Sequence, residues 1–290
     1  MNDHMTHQPA IAVLSDRAVL SVAGSGARHF LNNVVTAEVE GLAGGEARYS
    51  ALLTPQGKIL FDFFILASAG RLLIDCAAAG AEALVQRLTL YRLRAKVELR
   101  RETGLGVAAA WGGAPAATAG VVMFADPRLA GFGHRLIGAP QVLASLATAD
   151  QTAYHARRIA AGLADTSDIG SGEVYPHEAN LDQLGGVSFA KGCYVGQEVV
   201  SRMQHRGTAR ARMVPVDIAG AAEPGTAVTA AERPVGKLLS LAGSHGLALV
   251  RLDRAAAATA QGLTLMAGTA EITVRRPRWA GWTVATDKDD

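Results

Sequence analysis

Apolar positions along this 290-residue chain keep two rhythms, and the change from one to the other predicts its elements. Residues 10–14 and 18–22 are short apolar runs split by Ser15-Asp16-Arg17, which predicts a β-hairpin with a polar turn. Ser25 stands where it can cap a helix over 26–35, with Phe30, Leu31, Val34 and Val35 on one face. Residues 46–54 and 58–67 flank Thr54-Pro-Gln-Gly57, a tight-turn signal, and predict paired antiparallel strands. Residues 71–76 continue the sheet, 80–90 follow as a helix with Leu84, Val85 and Leu88 inward, and 96–101 return as a strand. That order predicts an α+β body of the ferredoxin-like kind.

Further on, 111–120 is rich in glycine, alanine and proline and reads as a linker. Weak strands at 121–124 and 133–137 precede a short helix at 140–148 and a firmer one at 152–161. After Gly207 the texture changes to short strands at 210–218, 226–229, 235–242, 246–252, 263–266 and 269–275. Such runs, broken by Gly, Pro and Asp, predict a small β-barrel. The expected organisation is an α+β body over 1–207, divisible near 111–120, and a C-terminal barrel over 208–290.

One stretch stands apart in chemistry: Gly185-Gly-Val-Ser-Phe-Ala-Lys-Gly-Cys-Tyr-Val-Gly-Gln-Glu-Val-Val-Ser-Arg-Met-Gln-His-Arg-Gly207. Gly192 and Gly196 bracket Cys193-Tyr194-Val195, and Val195, Val199, Val200 and Met203 share a helical face that Gly207 closes. A cysteine at or just before a helix N-terminus, with Lys191 two residues earlier, is placed for an acidified thiol. Cys193 as a small buried apolar residue is the alternative.

The signature Lys-Gly-Cys-Tyr-x-Gly-Gln-Glu resembles that of the YgfZ-type folate-binding proteins, relatives of the glycine-cleavage T-protein (aminomethyltransferase) that support iron–sulfur cluster proteins. Phe30-Leu-Asn-Asn-Val-Val-Thr36, Leu53-Thr-Pro-Gln-Gly-Lys-Ile-Leu60, Tyr91-Arg-Leu-Arg-Ala-Lys-Val97 and Pro176-His-Glu-Ala-Asn-Leu-Asp182 resemble further blocks of that family, in order. The resemblance implies a T-protein-type folate-binding body and tetrahydrofolate, or a one-carbon derivative, as cofactor. It implies Glu178 as the carboxylate for the pterin, with Tyr154, Asn32, Asn33, Tyr194, Gln197 and Arg17 as further pocket candidates. It implies Cys193 as the reactive thiol, activated by Lys191, and partners among iron–sulfur assembly proteins or client iron–sulfur enzymes, including those that modify tRNA. Where the T-protein carries paired aspartates this chain reads Phe61-Asp62, which favours an accessory folate-binding factor over an enzyme. A folate-dependent aminomethyltransferase or other one-carbon transferase is the alternative, and a tRNA-binding module the second.

Composition narrows the choice. Lys and Arg number 28 against 26 Asp and Glu, too even a balance to imply direct nucleic-acid binding. The local stripe Arg92, Arg94, Lys96, Arg100, Arg101 reads as a solvated strand face, or as a dock for a folate polyglutamate tail or for phosphates. With two cysteines, Cys76 and Cys193, and scattered histidines, no metal site is expected from this chain alone; a cluster would need ligands from a partner. No apolar run approaches the roughly 20 residues of a membrane span. The N-terminal decapeptide lacks both a secretory pattern and the arginines of a transit peptide, which gives a cytoplasmic expectation.

Overall fold

A computed structural model describes residues 8–207 and 209–282 of the chain. They form two compact units: residues 1–53, 61–154 and 184–195 belong to the first, and 54–60, 155–183 and 196–290 to the second. The N-terminal residues 1–7, on which much of the targeting expectation rested, lie outside the described residues.

The first unit runs β1 (Ala10–Val13), β2 (Arg17–Ala23), α1 (Ala27–Val34), β3 (Ala47–Leu53), β4 (Ile59–Ser68), β5 (Arg71–Ala77), α2 (Ala81–Arg92), β6 (Glu98–Arg101), β7 (Gly106–Trp111), β8 (Val122–Ala125), β9 (His134–Gly138) and α3 (Pro140–Leu146). Two sheets result, a five-stranded one in the order β3-β4-β5-β2-β6 and a four-stranded one in the order β1-β7-β9-β8. Strand side chains alternate between faces. On one face of the larger sheet Leu20, Val22, Phe63, Ile65, Ile74 and Cys76 pack against Phe30, Leu31 and Val34 of α1 and Leu84 and Leu88 of α2. Each large side chain buried there stabilises the fold by about 1.5–3 kcal/mol. The residues in between, Arg17, Asp62, Phe64 and Asp75, point the other way.

The hairpin expected at 10–22 does not form. β1 pairs with β7, Ala10 opposite Trp111 and Val13 opposite Ala108, while β2 pairs with β5 and β6. The reason is burial: Arg17 to Val22 are buried on both faces, so β2 must be a central strand with a neighbour at each edge. The first partner, β7, was not expected because Gly-Val-Ala-Ala-Ala-Trp lacks the branched alternation of a strand. Nor is the basic stripe one strand. Arg92 ends α2, a turn follows, and β6 starts only at Glu98.

The remaining elements are α4 (Gln151–Ala160), α5 (Thr166–Ile169), α6 (Gln197–Arg206), β10 (Ala211–Ala219), β11 (Ala227–Ala230), β12 (Arg233–Ala242), β13 (His245–Arg251), α7 (Leu252–Ala260), β14 (Leu265–Ala267) and β15 (Ala270–Val274). The six strands close into a barrel in the order β10-β13-β12-β11-β14-β15, each within two residues of its expected position. Helix α7 was missed, since Arg-Ala-Ala-Ala-Ala-Thr-Ala has no large apolar periodicity; Ala255 and Ala258 nonetheless join the barrel core. No described helix is long and apolar enough to cross a membrane.

Candidate functional site

Residues 184–195, at whose end Cys193 lies exposed, are fastened to the first unit at two points. Thr36, fully buried, donates its hydroxyl to the Gly186 carbonyl at 2.6 Å, and its own carbonyl accepts the Ser188 N–H at 2.9 Å. Lys191 then donates from Nζ to the carbonyls of Asn32 (2.5 Å), Val35 (2.8 Å) and Ala37 (2.8 Å). These lie at and just beyond the C-terminus of α1, where carbonyls lack intrahelical partners and the dipole is negative. An ammonium carries three N–H donors, so the clamp takes all of them and none is left for a thiolate. The activator role expected of Lys191 is thereby replaced by a positioning one. Its ammonium also sits 5.2 Å from the Tyr194 ring centroid. Burial lowers the Lys191 pKa to about 8, with Glu38 and Glu40 acting in the opposite direction.

Both anchors draw on the block Phe30 to Thr36, with Ala37 just beyond it. Asn32 contributes its carbonyl to the clamp, and its Oδ1 accepts the Val39 N–H at 3.0 Å; Asn33 lies on the exposed side, its amide 3.0 Å from the His29 ring. Tyr194 is buried, its hydroxyl has no hydrogen-bond partner among the described residues, and burial pushes its pKa to about 12. Helix α6 begins at Gln197 with Gly196 at its N-cap, so Cys193 lies upstream of the first turn rather than on it. Of the two bracketing glycines only Gly196 is sterically required: its φ is +82° and a Cβ would meet the Thr54 carbonyl oxygen at 2.6 Å, whereas a Cβ on Gly192 would meet nothing. Cys76, by contrast, is buried in the sheet core, and burial raises its thiol to about 12.

Arg17 and Tyr154 meet in a buried network on the other face of the large sheet. Asp75, 1% exposed, accepts Arg17 Nε at 2.7 Å and Arg135 Nε at 2.5 Å. The Tyr154 hydroxyl accepts from Arg135 Nη1 and Arg128 Nη2, both at 3.0 Å, and Arg128 pairs with Asp126 at 2.7 Å. Burial acts to raise the Asp126 pKa, yet Arg128 outweighs it and holds the carboxyl below its ordinary range. The guanidinium carbons of Arg135 and Arg128 lie 4.3 Å and 4.9 Å from the Phe64 ring centroid. Asp62 is buried beside them and accepts the Tyr49 hydroxyl at 3.2 Å, while Phe61 packs against the sheet–helix core. Sequence reasoning missed Asp75, Arg128 and Arg135; for Asp75 and Arg135 a charged residue inside an otherwise apolar strand was the available signal, whereas Arg128 lies in the loop between β8 and β9 and gave none.

In the second unit, Glu178 accepts the Tyr175 N–H through Oε2 at 2.8 Å and so closes its own turn. The block 176–182 is gripped by Arg212 of β10, which donates to the His177 carbonyl at 2.7 Å and to both Asp182 oxygens at 2.6 and 3.0 Å. Burial lowers the His177 pKa. Among the described residues no group of three or more His, Cys, Asp or Glu side chains is placed to hold a metal ion.

Residues 210–282 match the family described as CAF17, C-terminal β-barrel domain. The iron–sulfur cluster assembly factor IBA57, mitochondrial, of Homo sapiens is 32% identical over 82% of this chain and 76% of its own length. The homologue from Pyricularia oryzae is 33% identical over 83% of this chain and 71% of its own. That from Chaetomium globosum is 36% identical over 71% of this chain, which spans only 55% of that protein. Among solved structures, glycine cleavage system aminomethyltransferase T from Bartonella henselae superposes with a TM-score of 0.74 over 94% of this chain and 86% of that one, at 15% identity. The fold is therefore the T-protein type expected from the sequence. These relatives are named as mitochondrial, which overturns the cytoplasmic expectation drawn from the N-terminal decapeptide.

Proposed function

The chain belongs to the family of the iron–sulfur cluster assembly factor IBA57, and from that premise we propose that it assists cluster assembly by offering the Cys193 thiolate to a cluster shared with a partner protein. YgfZ-type proteins, whose motif the sequence resembles, form a related family. The observation that carries the reading is the contrast between the two thiols. Cys76 is sealed in the core, whereas Cys193 is exposed on a segment fastened by Thr36 and Lys191. One cysteine meets only part of the demand of an iron–sulfur cluster, which takes about four ligands. The cluster is accordingly cargo, and its other ligands belong to an assembly protein or client enzyme. Cys193 loses its proton, its thiolate displaces one outgoing thiolate from iron, and the displaced thiolate takes up a proton.

Anaerobic titration with a glutathione-ligated [2Fe–2S] complex, read by visible circular dichroism, tests this. The wild type and Cys76→Ser should develop a protein-bound signal and Cys193→Ser should not. An unchanged signal from Cys193→Ser would remove the cysteine from the role.

A second reading, binding of tetrahydrofolate, has the shared aminomethyltransferase fold in its favour. The half-buried Glu178 would be its pterin acceptor. Calorimetric titration with tetrahydrofolate discriminates: saturable heat weakened about tenfold or more by Glu178→Gln supports it, and absence of heat ends it.

A further inference from the structure

We infer that the end of α2 and the turn after it form a docking surface for an acidic amphipathic segment of a partner protein. The surface lies wholly in the first unit. Leu93 is 88% exposed and Leu90 is 70% exposed, both far above any other exposed large apolar residue described. Three residues apart, they share one side of the helix end. The exposure is not an accident of a loose tip. The Ala95 N–H donates to the Arg92 carbonyl at 2.8 Å and closes a four-residue turn, in which Leu93 has φ +46° and ψ −110°. That is the first central position of a type II′ turn, which glycine normally fills. A leucine held in glycine's conformation with its side chain in water works against stability twice over. Its presence is accounted for by an apolar contact made in another molecule.

Charge supplies the sign of that molecule. Arg87, Arg92, Arg94 and Lys96 are exposed around the leucines, and none has an ion-pair partner among the described residues. The acids that follow the turn in sequence are engaged elsewhere, Glu98 by Arg100 and Glu102 by Arg71 at 3.0 Å, while Glu82 stands at the far end of α2 in its first turn. Beside the turn lies a recess of about 470 Å³, lined by Gly24, Arg92, Arg94, Lys96 and Glu98. At its floor the Gly24 backbone packs closely on that of Lys96, since a Cβ on Gly24 would meet the Lys96 carbonyl oxygen at 2.3 Å. Cations around a concavity, with two leucines proud of it, complement a segment carrying carboxylates on one face and apolar side chains on the other. A single-stranded nucleic acid would call for exposed aromatics to stack on, and the one aromatic here, Tyr91, packs into the core. A lipid surface would call for a broad apolar helix face, and that of α2 is covered through Leu84 and Leu88.

The probe is a fluorescein-labelled synthetic 18-residue helix with leucines at i, i+3, i+4 spacing and glutamates elsewhere, followed by anisotropy in 50 mM salt against the full chain. Saturable binding is expected, weakened at least tenfold by Leu90→Ser/Leu93→Ser and at least tenfold by Arg92→Glu/Arg94→Glu. The scrambled peptide should bind at least tenfold more weakly. Leu93→Gly, which suits the turn, should leave Tm unchanged or higher while weakening the peptide, an effect no structural role for Leu93 would give. Absence of saturable binding, or equal affinity for the leucine variant, overturns the inference. Tighter binding to a uridine 20-mer or to phosphatidylglycerol vesicles, lost in the arginine variant, overturns it in favour of RNA or membrane. None of these outcomes bears on Cys193, whose cluster titration stands or fails separately.

Discussion

Removing the Asp75 carboxylate should unseat the layered core of the first unit. Asp75 is 1% exposed and lies between Arg17 Nε at 2.7 Å and Arg135 Nε at 2.5 Å, with its carbonyl taking Arg17 Nη2 at 2.8 Å. In Asp75→Ala two guanidinium groups lose their shared counter-charge without regaining water, a change that costs about 3–5 kcal/mol. Against a total stability of about 5–15 kcal/mol that is a fifth or more. With a urea m-value of about 3 kcal/mol/M the midpoint should fall by about 1–1.7 M. Far-UV circular dichroism follows the whole chain, and Trp111, whose ring centroid is 6.3 Å from that of Tyr154, reports from beside the network. The control is Arg17→Met/Asp75→Leu/Arg135→Met, which removes charge and partners together and should return to within about 1 kcal/mol of wild type. The reasoning is refuted if Asp75→Ala stays within about 1 kcal/mol of wild type, or if the triple variant is as unstable as the single losses summed.

Iodoacetamide at pH 8 should label Cys193 in the folded protein and spare Cys76, whose rise from 9.0 to about 12 cuts its thiolate about a thousandfold; mass spectrometry after trypsin checks it, and equal labelling would contradict the burial. Lys191 titrates at about 8 when folded against 10.5 ordinarily, so between those values the unfolded chain binds more protons and stability should rise with pH, a slope that urea melts should show flattened in Lys191→Met. Gly196→Ala meets both a φ of +82° and the Thr54 carbonyl oxygen, and should cost about 1–3 kcal/mol in the same melts, with a loss under about 0.5 kcal/mol counting against the close approach.

Local pattern was a good guide wherever a face was apolar enough to announce itself. Phe30, Leu31 and Val34 marked α1, and Thr54-Pro-Gln-Gly57 marked the turn between β3 and β4, where Gly57 has φ +82°. Alanine hid the rest: β7 and α7 are built from it, and its small apolar area carries almost no periodic signal. Pairing between distant strands was also invisible, because Ser15-Asp16 could close a hairpin as readily as pass the chain from one sheet to another. Proximity in sequence misled at Lys191, which is two residues from the thiol but reaches back to carbonyls at Asn32, Val35 and Ala37. The exposure of Cys193 sets aside the alternative of a small buried apolar residue that the sequence also allowed.

The lysine clamp has a consequence for how such chains diverge. Lys191 reads main-chain carbonyls, which every amino acid presents, so side chains at positions 32, 35 and 37 are free to drift under that contact while the lysine is not. Thr36 differs, because its hydroxyl is itself the donor to Gly186. Saturation mutagenesis scored by a cluster-dependent phenotype should therefore find positions 36 and 191 narrow on account of this seam, whereas any limit at 32 or 37 comes from other contacts, the Asn32 Oδ1 on the Val39 N–H and the burial of Ala37.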